Sequence, residues 1–471
     1  MRYYHNKVWE HLLSRVENNR NRLFIFPSTT FSELFSQSLE KSNSLYSRMK
    51  NPYNNRVIVS SQPNTPQYIV ELVSIWRNNH VPCLIPNYYN KDMQEHCMRL
   101  LQLPEKYPSK DEGLVLFTTG TGSGRPKGVR LSQDNILNQL DMLDKHVSKD
   151  LLSSTDRTVS FMPWYHSYGL CELLSIIERG ATTYPHTYHN SVHLWTKLQY
   201  VQPTVLFVVP RLLELIYDKI QKSPKLYWGL SKNMLRKVWF GTHIRHIISG
   251  GATLRQEIKW FYYDRMELPI YQGYGCTEMS PMIAMEKECD PRATHVGSLL
   301  PGIWLDDRCD GSIRVNGPNR FLGYLGEPLL SKMEYYDTGD IGSVSEGHLY
   351  IRGRSANTIK LSNGKFVNLS ELESHLQTQL GIRNLSIVKI TSIDDPIAVV
   401  FDTDCDGPKV SYTTTRSDIN SSVILKLVRL PSSWLGPEMI SLKGEILKPA
   451  VIKLLSEIHV PMDNYSMETK K

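Results

Sequence analysis

The sequence predicts an α/β protein: a large N-terminal domain of layered, largely parallel sheets with flanking helices, then a small α+β domain. Two patterns carry this. From Asn55 onward, short apolar runs of strand type alternate with apolar stripes at helical spacing, and after Ile351 the text changes to shorter strands. Bulk agrees, because 471 residues with 41% hydrophobic and 21% charged side chains allow two or three domains with large cores.

The elements follow in order. Arg56-Val57-Ile58-Val59 reads as a strand, and Ile69, Val70, Val73 and Trp76 mark the buried stripe of a helix. Leu114-Val115-Leu116-Phe117 is a continuous apolar strand. Val205 to Val209 is another, followed by a helical stripe of Leu212, Leu213, Leu215 and Ile216. Ile244 to Ile248 and Pro269 to Gln272 extend the set across an amphipathic stretch, Leu254 to Tyr263. Near the C-terminus Ser370-Glu371-Leu372-Glu373 has the S-x-x-E form of a capping box. These changes of texture place the N-terminal domain at 1–352 and the C-terminal domain at 353–471.

Composition excludes several classes. No apolar run reaches the ~18 residues of a spanning helix, and the N-terminal residues lack a signal-peptide core, so a cytoplasmic protein without a membrane span is expected. The net charge of +7 comes from 54 basic and 47 acidic residues spread along the chain, without the basic runs of a nucleic-acid surface. Seven scattered cysteines without a C-x-x-C pair argue against a disulfide framework or a zinc cluster and predict mostly buried thiols.

The most specific segment is Phe117-Thr118-Thr119-Gly120-Thr121-Gly122-Ser123-Gly124-Arg125-Pro126-Lys127-Gly128. Glycines let backbone N–H groups face phosphate oxygens, the hydroxyls of Thr118, Thr119, Thr121 and Ser123 add donors, and Lys127 adds positive charge. A triphosphate cradle is the natural reading. It is not a Walker A loop, because Gly128 stands where that motif requires Ser or Thr. On these residues alone a flexible surface turn remains the alternative.

This stretch resembles the phosphate loop of the adenylate-forming superfamily, which includes acyl-CoA synthetases, luciferases and peptide-synthetase adenylation domains. Further motifs arrive in that family's order. Pro163-Trp164-Tyr165-His166-Ser167-Tyr168-Gly169 resembles its aromatic gate, Ser249-Gly250-Gly251-Ala252-Thr253-Leu254 its adenine-site glycine turn, and Tyr271-Gln272-Gly273-Tyr274-Gly275-Cys276-Thr277-Glu278 its Y-G-x-T-E signature. Phe321-Leu322-Gly323-Tyr324, Tyr336-Asp337-Thr338-Gly339-Asp340 and Gly353-Arg354 follow, and then Ile359-Lys360-Leu361-Ser362-Asn363-Gly364-Lys365-Phe366-Val367.

The resemblance implies roles that suit the residue types. Tyr274 offers a flat face for adenine, a stack worth ~1–3 kcal/mol. Glu278 is a hard oxygen ligand for Mg²⁺, and Thr277 a donor to the α-phosphate. Asp340, in a T-G-D turn, accepts from the ribose hydroxyls, each bond worth about 1.5–3 kcal/mol. Arg354 binds ribose or phosphate, with Arg352 as a competitor. His166 gates the passage between the ATP site and a carboxylate pocket. Residue by residue, each of these also has a structural reading in core, turn or aromatic cluster.

Implied with these roles is an ATP-dependent acid–thiol ligase. A carboxylate attacks the α-phosphorus of Mg·ATP, giving acyl-AMP and pyrophosphate, and the acyl group passes to coenzyme A or to the phosphopantetheine of an acyl or peptidyl carrier protein. The mobile C-terminal domain of the family contributes a lysine. The KLSNGKFVNLSELE stretch resembles the pattern of long-chain acyl-CoA synthetases and carboxylic acid reductases and favours fatty or aryl acids. Lys360 and Ser362 fit a solvent-facing hairpin equally well. The gate segment lacks the aspartate with which amino-acid-activating members grip an α-amino group.

Three departures stand out. Ala356 replaces an acidic or lysine hinge residue. In Ser441-Leu442-Lys443-Gly444-Glu445-Ile446-Leu447-Lys448, aligning the glycines puts Glu445 at the lysine position, which leaves Lys443 as the candidate catalytic lysine and Lys448 as a weaker one. Only about thirty residues separate Pro86 from Thr118, which implies a trimmed N-terminal periphery. The rival readings are a nucleotide- or acyl-adenylate-binding protein without turnover, and an amino-acid adenylation enzyme loading a carrier protein.

Overall fold

The computed structural model describes residues 6–19, 23–25, 29–30, 33–34, 36–38, 40–41, 56–59, 64–102, 111–119, 125–148, 150–186, 191–223, 229–306, 311–355, 358–360, 366–369, 373, 376, 385–388, 397–402, 409–417, 421–435 and 448–457. The chain divides into two compact units. One is Met1–Arg308 with Arg314–Thr338 and Ser343–Tyr350; the other is Cys309–Ile313 with Gly339–Gly342 and Ile351–Lys471.

Three sheets organise the first unit, each with parallel pairing at its centre and an antiparallel edge. The first runs Gly323–Tyr324, Pro126–Ser132, Glu112–Thr119, Val81–Leu84, Arg56–Val59, with the last three parallel. The second runs Ser298–Leu299, Met282–Met285, Ile270–Gly275, His246–Ser249, Val205–Val208, again with the last three parallel. The third runs Thr29–Thr30, Leu23–Ile25, Thr182–Pro185, Arg157–Ser160. The apolar runs at 56, 114, 205 and 244 are therefore strands; of the antiparallel strands, Pro126–Ser132 and Gly323–Tyr324 bear proline or glycine, while Met282–Met285 is a short buried apolar run.

The stripe of Ile69, Val70, Val73 and Trp76 is the buried face of helix Pro66–Arg77. Thr65 caps it by accepting from the Tyr68 N–H, and Pro66 suits a first turn whose N–H has no helical partner. Burial of each such side chain is worth roughly 1.5–3 kcal/mol, and the Trp76 indole N–H donates to the Gly113 carbonyl at 2.7 Å. That bond ties the helix to the strand leading into the glycine loop. The amphipathic stretch from Leu254 forms helix Gln256–Met266, which buries Ile258, Phe261 and Tyr262 in a large apolar cluster. Among the described residues, the short connection after Pro86 holds helix Lys91–Gln102, which buries Cys97 and Leu101.

Two buried charge groups sit inside this frame. Glu112 accepts from Arg56 at 2.6 and 2.9 Å and from Arg130 Nε at 2.6 Å, joining three strands of the first sheet. Lys259 and Glu286 are 1% and 0% exposed and meet at 2.5 Å, and Glu286 also accepts from the Gln272 N–H at 2.8 Å. Removing one partner of such a pair costs about 3–5 kcal/mol, because the other is left charged and dry.

Strands Trp304–Leu305, Ser312–Asn316, Tyr336–Ser345 and His348–Arg354 form a four-stranded sheet in that order. In the second unit, Leu385–Val388, Ile397–Asp402, Ser421–Pro431 and Lys409–Ser417 form another, and helix Lys448–Glu457 adds Val451 and Leu455 to a core of Val399, Phe401, Val428 and Leu430. Thr358–Lys360 pairs antiparallel with Phe366–Asn368 as a hairpin. Ser370-Glu371-Leu372 lies outside the described residues; Glu373 accepts from the Ile387 N–H at 2.6 Å. No helix among the described residues is long and apolar enough to cross a membrane. Of the described cysteines, Cys83, Cys97 and Cys171 are buried and unbridged, and Cys276 and Cys289 are half-buried.

Candidate nucleotide site

The candidate residues of the first unit lie where strands end. Gly250, Gly251 and Ala252 follow the carboxyl end of His246–Ser249, and Tyr274 to Glu278 close the adjacent parallel strand Ile270–Gly275. The glycine loop follows Thr119 at the end of Glu112–Thr119. Ligands of open α/β sheets bind outside the carboxyl ends of parallel strands.

The glycine loop is a hairpin connection. Thr119 stands opposite Pro126 and Thr118 opposite Lys127, so the loop leaves one strand and returns antiparallel beside it. A Walker A loop opens a helix, which is the structural counterpart of the missing Ser or Thr after Lys127. Gly120, Thr121 and Ser123 lie outside the described residues, and only the backbone of Thr119 is described. The return strand is fixed from three sides. The Leu325 N–H donates to the Gly128 carbonyl, and the Leu322 N–H to the Arg130 carbonyl, both at 2.8 Å. His96, on the short helix after Pro86, hydrogen-bonds the Pro126 carbonyl at 3.1 Å.

Lys127 emerges exposed from this frame, with its ammonium 4.5 Å from the Tyr324 ring centre. The Tyr324 hydroxyl donates to Glu278 Oε1 at 2.8 Å. Lys127 and Glu278, which belong to separate motifs far apart in the chain, thus meet on one tyrosine. Burial, and then the nearby Glu278 charge, raise the Tyr324 hydroxyl well above the usual phenol range, which keeps it a donor to the carboxylate.

Glu278 sits on a 3₁₀ turn, Thr277–Met279, held by fully buried Asn319, whose Nδ2 donates to the Met279 carbonyl at 2.6 Å and to the Met282 carbonyl at 2.8 Å. The Phe321 N–H donates to the Glu278 carbonyl at 2.8 Å. Gly275 is required before this turn: a Cβ there would lie 1.8 Å from the Pro281 carbonyl oxygen, the atom that accepts the Cys276 N–H. Thr277 Oγ1 lies 3.1 Å from Ser167 Oγ, which joins the signature turn to the first residue of helix Ser167–Arg179.

His166 is the N-cap residue of that helix and belongs to an aromatic cluster, 4.9 Å from the Tyr165 ring and 5.9 Å from that of Tyr88. The Tyr165 hydroxyl donates to Asn87 Oδ1 at 3.0 Å, and Asn64 Oδ1 accepts from the Trp164 N–H at 3.0 Å. Tyr168 donates to the Ile248 carbonyl at 3.0 Å and stands beside Gly250, where a Cβ would meet its ring at 3.4 Å. Gly251 has φ +81°, a left-handed conformation that glycine adopts without strain. Tyr274 is half-buried in its strand, opposite Ala284.

In the second unit Arg354 Nε approaches Asp340 Oδ1 at 3.0 Å, and the Ser355 hydroxyl donates to the Gly339 carbonyl. The carboxylate expected to take ribose hydroxyls is thereby oriented by the arginine fourteen residues on. Lys443, Glu445 and Ala356 lie outside the described residues, and of Lys448 only the backbone, opening helix Lys448–Glu457, is described.

The donor set in the first unit suits a magnesium nucleotide: a half-buried carboxylate, hydroxyls of Thr277 and Ser167, and an exposed ammonium beside a glycine hairpin. The sequence carries no signal for these contacts of Tyr324, Ser167 and Asn319. Tyr324 stands out in it only by its place in the Phe321-Leu322-Gly323-Tyr324 motif.

Comparison with known proteins agrees with this geometry. The AMP-binding enzyme family model matches residues 90–325, half of the chain. Long-chain-fatty-acid–CoA ligase 1 of Cavia porcellus is 28% identical over 318 residues, 57% of this chain and 45% of that protein. Long-chain-fatty-acid–CoA ligase FadD15 of Mycobacterium bovis is 27% identical over 57% of this chain and 51% of its own length. The chain spans about half the length of these curated relatives. Among solved structures, ATP-bound MatB from Rhodopseudomonas palustris superposes with TM-score 0.75 at 18% identity, over 97% of this chain and 100% of that one. o-Succinylbenzoate CoA synthetase from Bacillus subtilis, with an acyl-adenylate, gives TM-score 0.64 at 18% identity, over 83% and 88%. At this identity the structures establish the shared fold.

Proposed function

The chain belongs to the AMP-binding enzyme family, and on that premise we propose that it is an acid–thiol ligase that joins a carboxylic acid to AMP and then to a thiol. The observation that carries the proposal is the meeting of Lys127 and Glu278 on Tyr324 beside the glycine hairpin. A cation and a carboxylate so held suit a triphosphate and its magnesium ion.

In this reading the N–H groups and hydroxyls of Thr118 to Ser123 hold the phosphates, with Lys127 on their charge. Glu278 would hold Mg²⁺, which would supply positive charge against the phosphates. Thr277 donates to the α-phosphate, Tyr274 with Gly250, Gly251, Ala252 and Gly275 takes the adenine, and Asp340 with Arg354 takes the ribose. His166 and its aromatic cluster border the acid pocket. Lys443 offsets the negative charge that develops as the carboxylate attacks in line. Catalysis of this kind is positioning plus charge stabilisation, which a hairpin fixed from three sides supplies.

The names of the relatives support a fatty acid as substrate and coenzyme A as acceptor. A carrier-protein phosphopantetheine and an aryl acid are the competing outcomes. ATP–pyrophosphate exchange with saturated fatty acids, aryl acids and amino acids tests the reading. Magnesium-dependent exchange with a fatty acid, followed by acyl-CoA formation, is expected. ATP binding without exchange for any acid would replace the ligase by a nucleotide-binding protein.

A further inference from the structure

The motif Phe321-Leu322-Gly323-Tyr324 enters the site without an assigned function. Tyr324 pairs with Val129 and Gly323 with Arg130, so the two-residue strand registers directly on the strand that returns from the glycine hairpin. Its ring packs edge-on against Phe321 at 4.9 Å, and Phe321 in turn meets Tyr336 at 5.2 Å. A ring held in this way has little rotational freedom.

A lysine and a glutamate sharing a nucleotide site face a physical problem: a direct ion pair would take both out of use. Here the ammonium rests on the Tyr324 ring face and the carboxylate on its hydroxyl, so each is held by the tyrosine rather than by the other. The ring quadrupole attracts the cation without neutralising it. The hydroxyl engages one carboxylate oxygen and sets the direction of the group, as the hydrogen-bonding partner of a metal ligand commonly does.

We propose that Tyr324 is a positioning residue that keeps Lys127 and Glu278 apart and aimed, Lys127 at phosphate and Glu278 at the metal ion. The inference rests on the assignment of those two residues above. It gives the tyrosine two separable jobs, one on its hydroxyl and one on its ring.

The test measures Mn²⁺ binding by the loss of the free-ion electron paramagnetic resonance signal, and nucleotide binding by calorimetry at saturating Mn²⁺, both with α,β-methylene-ATP and the full chain. Tyr324→Phe keeps the packed ring and removes the hydroxyl. It should weaken Mn²⁺ binding about 10-fold and leave nucleotide affinity unchanged. Tyr324→Leu removes both and should also weaken nucleotide binding by about 2- to 5-fold. Wild-type Mn²⁺ affinity in Tyr324→Phe, alongside its loss in Glu278→Gln, would overturn the role of Tyr324 while keeping that of Glu278. Wild-type Mn²⁺ affinity in Glu278→Gln would overturn the underlying metal assignment itself. Should Tyr324→Leu fail to fold, Tyr324→Phe decides alone.

Discussion

Glu172 lies six residues beyond His166, on helix Ser167–Arg179, and is 1% exposed. Its Oε1 accepts from Ser160 Oγ at 2.7 Å, and Ser160 lies 2.7 Å from Thr183 Oγ1, so one carboxyl joins the helix to two strands of the third sheet. Burial pushes this carboxyl up to about 8, against which the Ser160 bond pulls only partly. The folded protein therefore keeps a proton that the unfolded chain releases near the ordinary carboxylate range. Stability from this group is fully present at low pH and is lost as pH rises toward 8, at about 1.4 kcal/mol per unit, or ~4 kcal/mol between pH 5 and 8.

Glu172→Gln removes the titration. The amide keeps an acceptor for Ser160 but places an N–H₂ where Oε2 has no hydrogen-bond partner, at a pH-independent cost of about 1–3 kcal/mol. The variant should be the less stable protein at pH 5 and the more stable at pH 8. At about 1–2 °C per kcal/mol for a unit of this size, the wild-type melting temperature should fall relative to the variant by roughly 4–8 °C across that range. Melting curves at half-unit pH steps measure this. Parallel wild-type and variant profiles would refute a neutral buried Glu172.

Other changes read the site. Gly275→Ala forces a Cβ against the Pro281 carbonyl, so the signature turn must open; nucleotide affinity measured by calorimetry should fall at least 10-fold, with a loss of about 2 kcal/mol or more in stability. Asp340→Ala should abolish measurable nucleotide binding, and unchanged ATP affinity would count against the ribose role. Lys443→Ala should slow pyrophosphate exchange far more than Lys448→Ala, and the reverse order would reassign the lysine.

How much was legible depended on the distance over which the signal acts. Strand Glu112–Thr119 and helix Pro66–Arg77 announce themselves because apolar periodicity is local and burial follows it. Strand Pro126–Ser132 does not, because Pro, Lys and Gly precede its apolar residues and its place is set by pairing with Glu112–Thr119 and Gly323–Tyr324. Motif order brought out Lys127 and Glu278 separately. Their meeting on Tyr324 joins residues from three distant segments, and no periodicity encodes that. Asn319 was silent for the same reason: a buried asparagine that serves two carbonyls looks, in sequence, like any turn residue.

In the proposed reaction this chain makes an acyl-adenylate and passes its acyl group to a thiol. Mass spectrometry of the purified protein incubated with Mg·ATP and a long-chain fatty acid, before and after addition of coenzyme A, tests it most directly. Fatty acyl-AMP in the first sample and acyl-CoA with free AMP in the second are expected. Bound, unconsumed ATP in both would contradict the reaction.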